Sequence, residues 1–305
     1  MAFMSNGHQE LVGFIWNIAN KLRGPYRPPQ YRKVMLPFTV LRRLDSVIAP
    51  KKDVVLDEYN RLKAMKLSGA ALDTALAQFA GSSKVQGIYN ISNFTFQKLL
   101  DDPVDLAKNL IAYINGFSPK VKEIFENFKF EEEIQKLDKN NRLLLIMQEF
   151  TGVDLSPSKV SNLQMGYLFE ELIRKFNESA NEEAGDHFTP REVIRLMVHI
   201  LYTGEEHLYK PGIARTIYDP ACGTGGMLSV SEEYIRSHNN KANITLYGQE
   251  YNDESYAICT SDILIKGGDA ENIAFGDTLG DGKTNDMHKD KKFHYMLANP
   301  PFGVE

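Results

Sequence analysis

The sequence predicts an α-helical N-terminal domain over residues 1–155 and an α/β doubly wound domain over residues 156–305. In the first domain, apolar residues recur at helical spacing, and proline or glycine residues divide the pattern into separate helices. In the second domain, short apolar runs alternate with helical patterns, which is typical of a parallel sheet with helices between its strands. A glycine-rich turn between a strand-like run and a helix-like run indicates the same class.

The helices of the first domain are expected in segments with apolar residues on one face. These segments lie near 8–22, 31–48, 54–65, 94–115 and 140–151. A further amphipathic helix is predicted over residues 163–176, where it leads into the second domain.

Composition excludes several classes of protein. The chain has 305 residues, of which 43% are hydrophobic and 25% charged, as is ordinary for a globular protein with a core. Its two cysteines and seven histidines show no metal-ligand spacing, so no metal site is expected. We find no signal-peptide pattern at the start and no apolar run of membrane-spanning length, so a cytoplasmic location is expected.

Charge is unevenly distributed along the chain. Residues 1–50 hold seven Lys or Arg residues and two acidic residues, a balance of +5, whereas the whole chain carries −5. A basic segment of this kind either tracks the phosphates of a nucleic acid or forms a solvated helix face, and the sequence leaves both open.

The glycine-rich turn is the first candidate site. A strand-like run over 214–218 precedes it and a helix-like run over 227–235 follows it. Its glycines let the backbone approach a ligand without a Cβ in the way. The spacing is G-x-G-G, whereas a dinucleotide-binding turn has G-x-G-x-x-G. The candidate residues of this turn are Asp219, Ala221, Gly223, Thr224, Gly225 and Gly226.

Two more acids follow predicted strands. Glu250 comes after the run 244–248, and Asp277 comes after the run 272–275. Ligands of open α/β sheets bind at the carboxyl ends of the strands, where Glu250 could accept the hydroxyls of a ribose and Asp277 the amine of an adenine.

A helix start precedes these elements. Thr189 and Glu192 are spaced as a capping box, with Pro190 at the first helical position. The N-terminus of this helix could face the charged end of a cofactor. The apolar face of the helix is expected to contain Val193, Ile194, Met197, Ile200 and Leu201.

The last candidate site lies at the end of the chain, after an apolar run over 295–298 that predicts a buried strand. The amide oxygen of Asn299 and the carbonyl of Pro300 could accept both N–H bonds of the exocyclic amine of a base. The ring of Phe302, after Pro301, could stack on that base. A base in such a pocket must first leave the duplex.

These motifs together resemble those of adenine-N6 DNA methyltransferases, and most closely those of the modification subunits of type I restriction–modification systems. The motifs are HFTP at 187–190, DPACGTGG at 219–226, GQE at 248–250, GDTL at 276–279 and NPPF at 299–302. The resemblance extends to the stretches 15–24, 31–37 and 163–178, so it covers nearly the whole chain.

The resemblance implies a Rossmann-like class I methyltransferase fold and S-adenosylmethionine as the cofactor. It places Asp219 and the glycine loop at the methionine end of the cofactor, with Thr189 nearby. It assigns the ribose hydroxyls to Glu250 and the adenine amine to Asp277. The flipped adenine then contacts Asn299, Pro300, Pro301 and Phe302, with Asn299 and Pro300 holding its amine.

The resemblance also implies partners and a missing part. DNA, a specificity subunit, a second modification subunit and a restriction subunit are the expected partners. Members of this family carry more strands after the catalytic motif, so we expect an incomplete sheet and a truncated chain that is inactive alone. Two other classes stay open, namely a non-catalytic assembly module and a nucleotide-cofactor oxidoreductase. Glutamine in a protein is a further conceivable methyl acceptor, although the helical N-terminal half favours DNA.

Overall fold

The structure is a computed structural model, and it describes residues 6–81, 87–179, 189–280 and 285–300. The chain divides into two compact units. The first comprises Met1–Ala180 and Leu264–Gly268, and the second comprises Asn181–Ile263 and Asp269–Glu305. The domain boundary at residues 155/156 stays a prediction.

The first unit is helical. Its helices are α1 (Asn6–Ala19), α2 (Arg32–Ile48), α3 (Lys52–Ala64), α4 (Gly69–Ala80), α5 (Phe96–Leu99), α6 (Leu106–Asn115), α7 (Pro119–Asn127), α8 (Phe130–Lys139), α9 (Leu143–Thr151) and α10 (Asn162–Ser179). The predicted segments correspond to α1, α2, α3, α9 and α10, and the segment 94–115 is divided into α5 and α6. Helices α4, α7 and α8 were not predicted.

Helix α2 is the central element of this unit, because 13 of its 17 residues are buried. It packs against α8, α9 and α10. The ring of Phe38 meets that of Phe130 edge-on at 4.9 Å and stacks on that of Phe150 at 5.2 Å, so aromatic contacts join α2 to α8 and α9.

The second unit has a parallel sheet with helices between its strands. Its elements are α11 (Arg191–Tyr202), β1 (Ala214–Asp219), α12 (Gly226–His238), β2 (Asn243–Glu250), α13 (Asp253–Ile265), β3 (Ile273–Phe275) and β4 (Tyr295–Met296). The strand order is β3-β2-β1-β4, and every neighbouring pair is parallel. The predicted fold class is confirmed: helices come first, and an α/β domain with four described strands follows.

Two details of the prediction are wrong. The run 295–298 is not a fully buried strand: Met296 in β4 is 61% exposed, whereas Leu297 after β4 is buried. The exposure agrees with the place of β4 at an edge of the described sheet. The buried face of α11 is formed by Ile194, Val198 and Tyr202, at four-residue spacing, whereas Val193 and Ile200 face solvent.

The parallel order brings the carboxyl ends of all four strands to one edge of the sheet. Four candidate residues belong to this edge, because each of them ends or follows one strand. Asp219 ends β1, Glu250 ends β2, Asp277 follows β3 and Asn299 follows β4. In the part of the chain that the structure describes, no helix is long and apolar enough to cross a membrane.

Candidate cofactor and target-base site

Asp219 ends the central strand β1, and its side chain is only 2% exposed. The backbone N–H of Ala221 donates to Asp219 Oδ1 at 3.1 Å. The pKa of Asp219 is raised to about 7, mainly because the group is buried; the Ala221 hydrogen bond lowers this pKa, and the negative charge of Glu250 contributes to the rise. The acid therefore changes its charge near neutral pH, and a cation beside it would favour the ionised form.

The glycine turn is attached to the end of β2. Glu250 accepts the N–H of Gly223 at Oε2, over 2.8 Å, and the N–H of Asn252 at Oε1, over 2.7 Å. The N–H of Cys222 donates to the carbonyl of Gln249 at 3.0 Å. These bonds hold the turn of β1 against the adjacent strand end and keep both carboxylates, Asp219 and Glu250, in one region.

Two glycines of the turn have backbone conformations that other residues rarely adopt. Gly223 has φ +53° and Gly225 has φ +84°. A Cβ on Gly225 would also approach Cys259 Sγ to 2.8 Å. Thr224, partly buried, lies between them, and Gly226 begins α12. The turn is thus shaped by its glycines and packed closely against α13.

Asp277 lies in the loop after β3, and this loop is joined to the carboxyl ends of β2 and β1. The N–H of Gly276 donates to the carbonyl of Glu250 at 2.9 Å, and Thr278 Oγ1 donates to the carbonyl of Pro220 at 2.5 Å. Asp277 Oδ1 accepts the N–H of Leu279 at 3.0 Å, and the side chain is partly exposed. Three carboxylates from three strands therefore line the same edge.

Gln249 is a residue of this site that sequence reasoning missed. Its side chain is fully buried; Nε2 donates to the carbonyl of Asn285 at 3.2 Å, and Oε1 accepts the N–H of Met287 at 2.9 Å. The ring of His288 bonds the carbonyl of Gly248 at 3.1 Å. The amide thus fixes the segment before β4 to β2. The sequence signal for Gln249 was its place in the GQE motif, next to the predicted Glu250.

Asn299 follows β4 and is hydrogen-bonded to Thr189. Asn299 Nδ2 donates to Thr189 Oγ1 at 3.0 Å; Asn299 is exposed and Thr189 is partly buried. Strand β4 reaches this point because Met296 pairs with Tyr218 and the N–H of Leu297 donates to the carbonyl of Tyr218 at 3.1 Å. The two motifs that the sequence separates by 110 residues are thus in direct contact.

The capping box predicted for Thr189 and Glu192 is wrong. Helix α11 begins at Arg191, its N-cap position is Pro190, and no side chain caps it. The carbonyl of Pro190 accepts the N–H groups of Val193 and Ile194, so the hydroxyl of Thr189 is used for Asn299 instead. Pro300 is described and exposed, whereas Pro301 and Phe302 lie outside the described residues.

Cys222 in the turn does not have the properties of a nucleophile. Its Sγ lies 3.8 Å from that of Cys259, and both thiols are buried and free. Contact with Cys259, together with burial, raises the pKa of Cys222 well above its ordinary value, so the thiol stays neutral. Within the described ranges, no group of three or more His, Cys, Asp or Glu side chains could hold a metal ion.

Comparison with known proteins finds matches over both halves of the chain. The family model described as N-6 DNA Methylase matches residues 161–305, and the model described as HsdM N-terminal domain matches residues 11–150. The chain is 31% identical to the type I restriction enzyme HindI methylase subunit of Haemophilus influenzae, over 45% of this chain and 29% of that protein. It is 22% identical to the MjaIX methylase subunit of Methanocaldococcus jannaschii, over 99% of this chain and 53% of that protein.

A solved structure shows the same fold. It is the methyltransferase subunit of a type I restriction–modification system from Streptococcus thermophilus, with a TM-score of 0.63 and 21% identity. The match covers 97% of this chain and 64% of that one. Nearly all of this chain matches the MjaIX methylase subunit, but the chain spans only about half the length of that relative.

The fold is that of a class I methyltransferase domain preceded by a helical domain. Within that class, the chain belongs to the family of methylase subunits of type I restriction enzymes, because the two family models match its two halves and the relatives share that description.

Proposed function

We propose that this chain supplies the cofactor site and the target-base site of a site-specific DNA adenine-N6 methyltransferase. The observation that carries the proposal is the edge of the sheet at which Asp219, Glu250 and Asp277 follow three strands and Asn299 follows the fourth. Family membership supports the same activity.

The residues present fit S-adenosylmethionine. That cofactor has two cationic groups, which carboxylates attract. It also has two ribose hydroxyls and an adenine amine, which can donate hydrogen bonds to carboxylates. Asp219, Glu250 and Asp277 are three such acceptors, held together by the bonds of Gly223, Gly276 and Thr278. A pyrophosphate would instead meet three acidic side chains, which disfavours the nucleotide-cofactor oxidoreductase.

Each side chain has a role that follows from its position. Asp219, with Ala221 and the loop Gly223–Gly226, holds the charged methionine end; Glu250 accepts the ribose hydroxyls; Asp277 accepts the adenine amine. The lone pairs of Glu250 that do not bind Gly223 and Asn252 remain for the ribose. When bound, the cofactor supplies a methyl group on a positively charged sulfur.

Asn299 and Pro300 act on the target base. Their oxygens accept the two N–H bonds of the adenine amine, which localises the nitrogen lone pair for attack in line with the bond to the leaving group. Phe302, with Pro301, stacks on the flipped ring; both positions lie outside the described residues, and this role stays a prediction. The neutral thiol of Cys222 fits a reaction without a covalent cysteine intermediate.

The relatives are methylase subunits of type I restriction enzymes. By extension, we propose that the chain works on DNA together with a specificity subunit, a second modification subunit and a restriction subunit. The recognition sequence would then be read by another polypeptide.

The test is the transfer of methyl groups from labelled S-adenosylmethionine to long unmethylated bacteriophage DNA by the assembled enzyme that contains this chain. Digestion to nucleosides identifies the product, which we expect to be N6-methyladenine. Asn299→Ala should lower the rate by about a hundredfold or more, as for the loss of one hydrogen bond that acts on the reacting group.

A matched control is Asn140→Ala, because Asn140 is also exposed and its side chain donates to the carbonyl of Lys136 in α8, the helix that Asn140 follows. This variant should transfer methyl at the wild-type rate. Methylation of cytosine or of protein, or an Asn299→Ala variant with full activity, would refute the proposed function.

A further inference from the structure

The hydroxyl of Thr189 is placed on the side chain that is proposed to hold the target amine. Asn299 Nδ2 donates to Thr189 Oγ1 at 3.0 Å. The hydroxyl is not needed for the helix that follows, since α11 begins after Pro190 without a side-chain cap. The resemblance in sequence implied a place for Thr189 near the cofactor, whereas the structure shows its contact with Asn299.

A threonine hydroxyl can donate or accept, and here it accepts from Nδ2; this direction matters because an asparagine amide has a donor end and an acceptor end. A target amine is a donor and needs the acceptor end, Oδ1. If the amide turned over, its NH2 group would face the NH2 group of the base, and neither could accept. With Nδ2 bonded to Thr189, Oδ1 points away from Thr189 and is free to accept.

Backbone hydrogen bonds on both sides hold Thr189 and Asn299 in place. β4 is joined to β1 by the pairing of Met296 with Tyr218 and by the bond from the N–H of Leu297, two residues before Asn299. Thr189 is adjacent to Pro190, whose carbonyl accepts the first N–H bonds of α11. Two regular elements therefore fix the two ends of a side-chain bond that would otherwise be weak at an exposed position.

We infer that Thr189 is a positioning residue for methyl transfer: it accepts a hydrogen bond from Asn299 Nδ2 and so turns Asn299 Oδ1 toward the amine of the target adenine. The inference rests on the proposed function and adds a residue that acts through Asn299 without contacting the reacting atoms. When a base enters and excludes water, the bond also keeps the NH2 group of Asn299 paired.

The experiment compares Thr189→Val and Thr189→Ser in the assembled enzyme. Two quantities are measured: the single-turnover rate of methyl transfer to unmethylated DNA at saturating S-adenosylmethionine, and the dissociation constant of S-adenosylmethionine by calorimetry. Valine keeps the shape of threonine and removes the acceptor, whereas serine keeps the hydroxyl. We expect the valine variant to lose about tenfold in rate, as for one lost hydrogen bond, with cofactor affinity within twofold of the wild type. The serine variant should retain both the wild-type rate and the wild-type affinity for S-adenosylmethionine.

Thr74→Val is the matched control, because Thr74 is exposed and its hydroxyl donates only to the carbonyl of Ala70 within α4. Thermal unfolding checks that each variant is folded, and Thr189→Ala repeats the measurement if valine is not tolerated.

Three results would overturn the inference. An unchanged rate in the valine variant shows that Thr189 does not position Asn299. Cofactor affinity that weakens in proportion to the rate shows that Thr189 acts on the cofactor. In both cases the wild type is active and the proposed function stands. Absence of adenine methylation by the wild type would instead refute the proposed function, and this inference with it.

Discussion

At the scale of the residue, the charge of Asp219 is set by its burial. Its pKa is raised from the ordinary 3.8 to about 7, so the folded protein keeps a proton that the unfolded chain releases between these values. The stability that this acid contributes is therefore present below about pH 4 and is lost as the pH rises to about 7. Above pH 7 the folded protein holds a buried carboxylate beside Glu250.

Asp219→Asn should consequently stabilise the ligand-free protein at pH 8. The asparagine can still accept the N–H of Ala221 at Oδ1 and carries no charge to bury. We expect the free energy of unfolding to rise at pH 8 by up to about 4 kcal/mol, and the difference to vanish towards pH 4. Chemical denaturation at both pH values measures it. A variant that is less stable than the wild type at pH 8 would contradict this account of Asp219.

The same acid should make cofactor binding depend on pH. A cation beside Asp219 favours its ionised form, so binding releases a proton below pH 7. We expect the affinity for S-adenosylmethionine to rise about fivefold to tenfold between pH 6 and pH 7.5. Calorimetric titration at the two pH values tests this. The rise should be absent in Asp219→Asn, whose affinity should be low throughout, and an unchanged pH dependence in that variant would show that another group is responsible.

Gly225 is a position where only glycine fits. Its φ is +84°, and a Cβ would lie 2.8 Å from Cys259 Sγ. Gly225→Ala should therefore lower the free energy of unfolding by about 1–3 kcal/mol and weaken cofactor binding through a displaced turn. Gly13→Ala is the control, since no atom lies within 4 Å of its added Cβ and the residue is inside α1, where alanine is favoured. Equal stability of the two variants in denaturant titrations would contradict the packing described for the turn.

At the scale of the element, Arg43 connects α2 with the chain that leads into α10. The guanidinium is fully buried; Nη1 donates to the carbonyls of Leu155 and Val160, and Nη2 donates to Asn162 Oδ1. Burial lowers the pKa of Arg43 to about 10, so the side chain is charged at neutral pH. One side chain thus satisfies three acceptors of an irregular segment.

Arg43→Met should lower the free energy of unfolding of the helical unit by about 2–4 kcal/mol, because it leaves the carbonyls of the buried residues Leu155 and Val160 without this donor. Thermal or urea unfolding followed by helical circular dichroism measures the loss. Arg23→Met, at an exposed position where Arg23 Nη2 donates to Asn20 Oδ1 at 3.3 Å, should change the stability by less than about 0.5 kcal/mol. Similar losses in the two variants would show that Arg43 does not hold the segment.

Elements with local signals were predictable from the sequence, whereas contacts between distant residues were not. The apolar runs before Asp219 and Glu250 are long enough to define β1 and β2, and the glycines define the turn. Helices α7 and α8 bury three side chains each at helical spacing, such as Phe130, Ile134 and Leu137 in α8, so the sequence carried their pattern and the prediction overlooked it. The contact of Thr189 with Asn299 joins residues 110 positions apart, which no local pattern can indicate.

At the scale of the whole molecule, the N-terminal charge excess is partly used inside the fold. Arg43 is buried, Arg42 pairs with Asp45 at 2.8 Å, and Lys21 pairs with Glu149. Fewer basic side chains of residues 1–50 are therefore available to phosphates than the sequence suggested. This agrees with the proposal that another polypeptide reads the DNA sequence, and the predicted inactivity of the chain alone stays a prediction.

The central claim is that the carboxylate edge of the sheet is a site for S-adenosylmethionine. The most direct test is calorimetric titration of this chain with S-adenosylmethionine and, separately, with NAD⁺, using the wild type and Glu250→Gln. We expect saturable binding of S-adenosylmethionine with one site per chain, at least tenfold weaker in the variant, and no binding of NAD⁺. Binding of NAD⁺ in preference, or binding of S-adenosylmethionine that Glu250→Gln leaves unchanged, would contradict the claim.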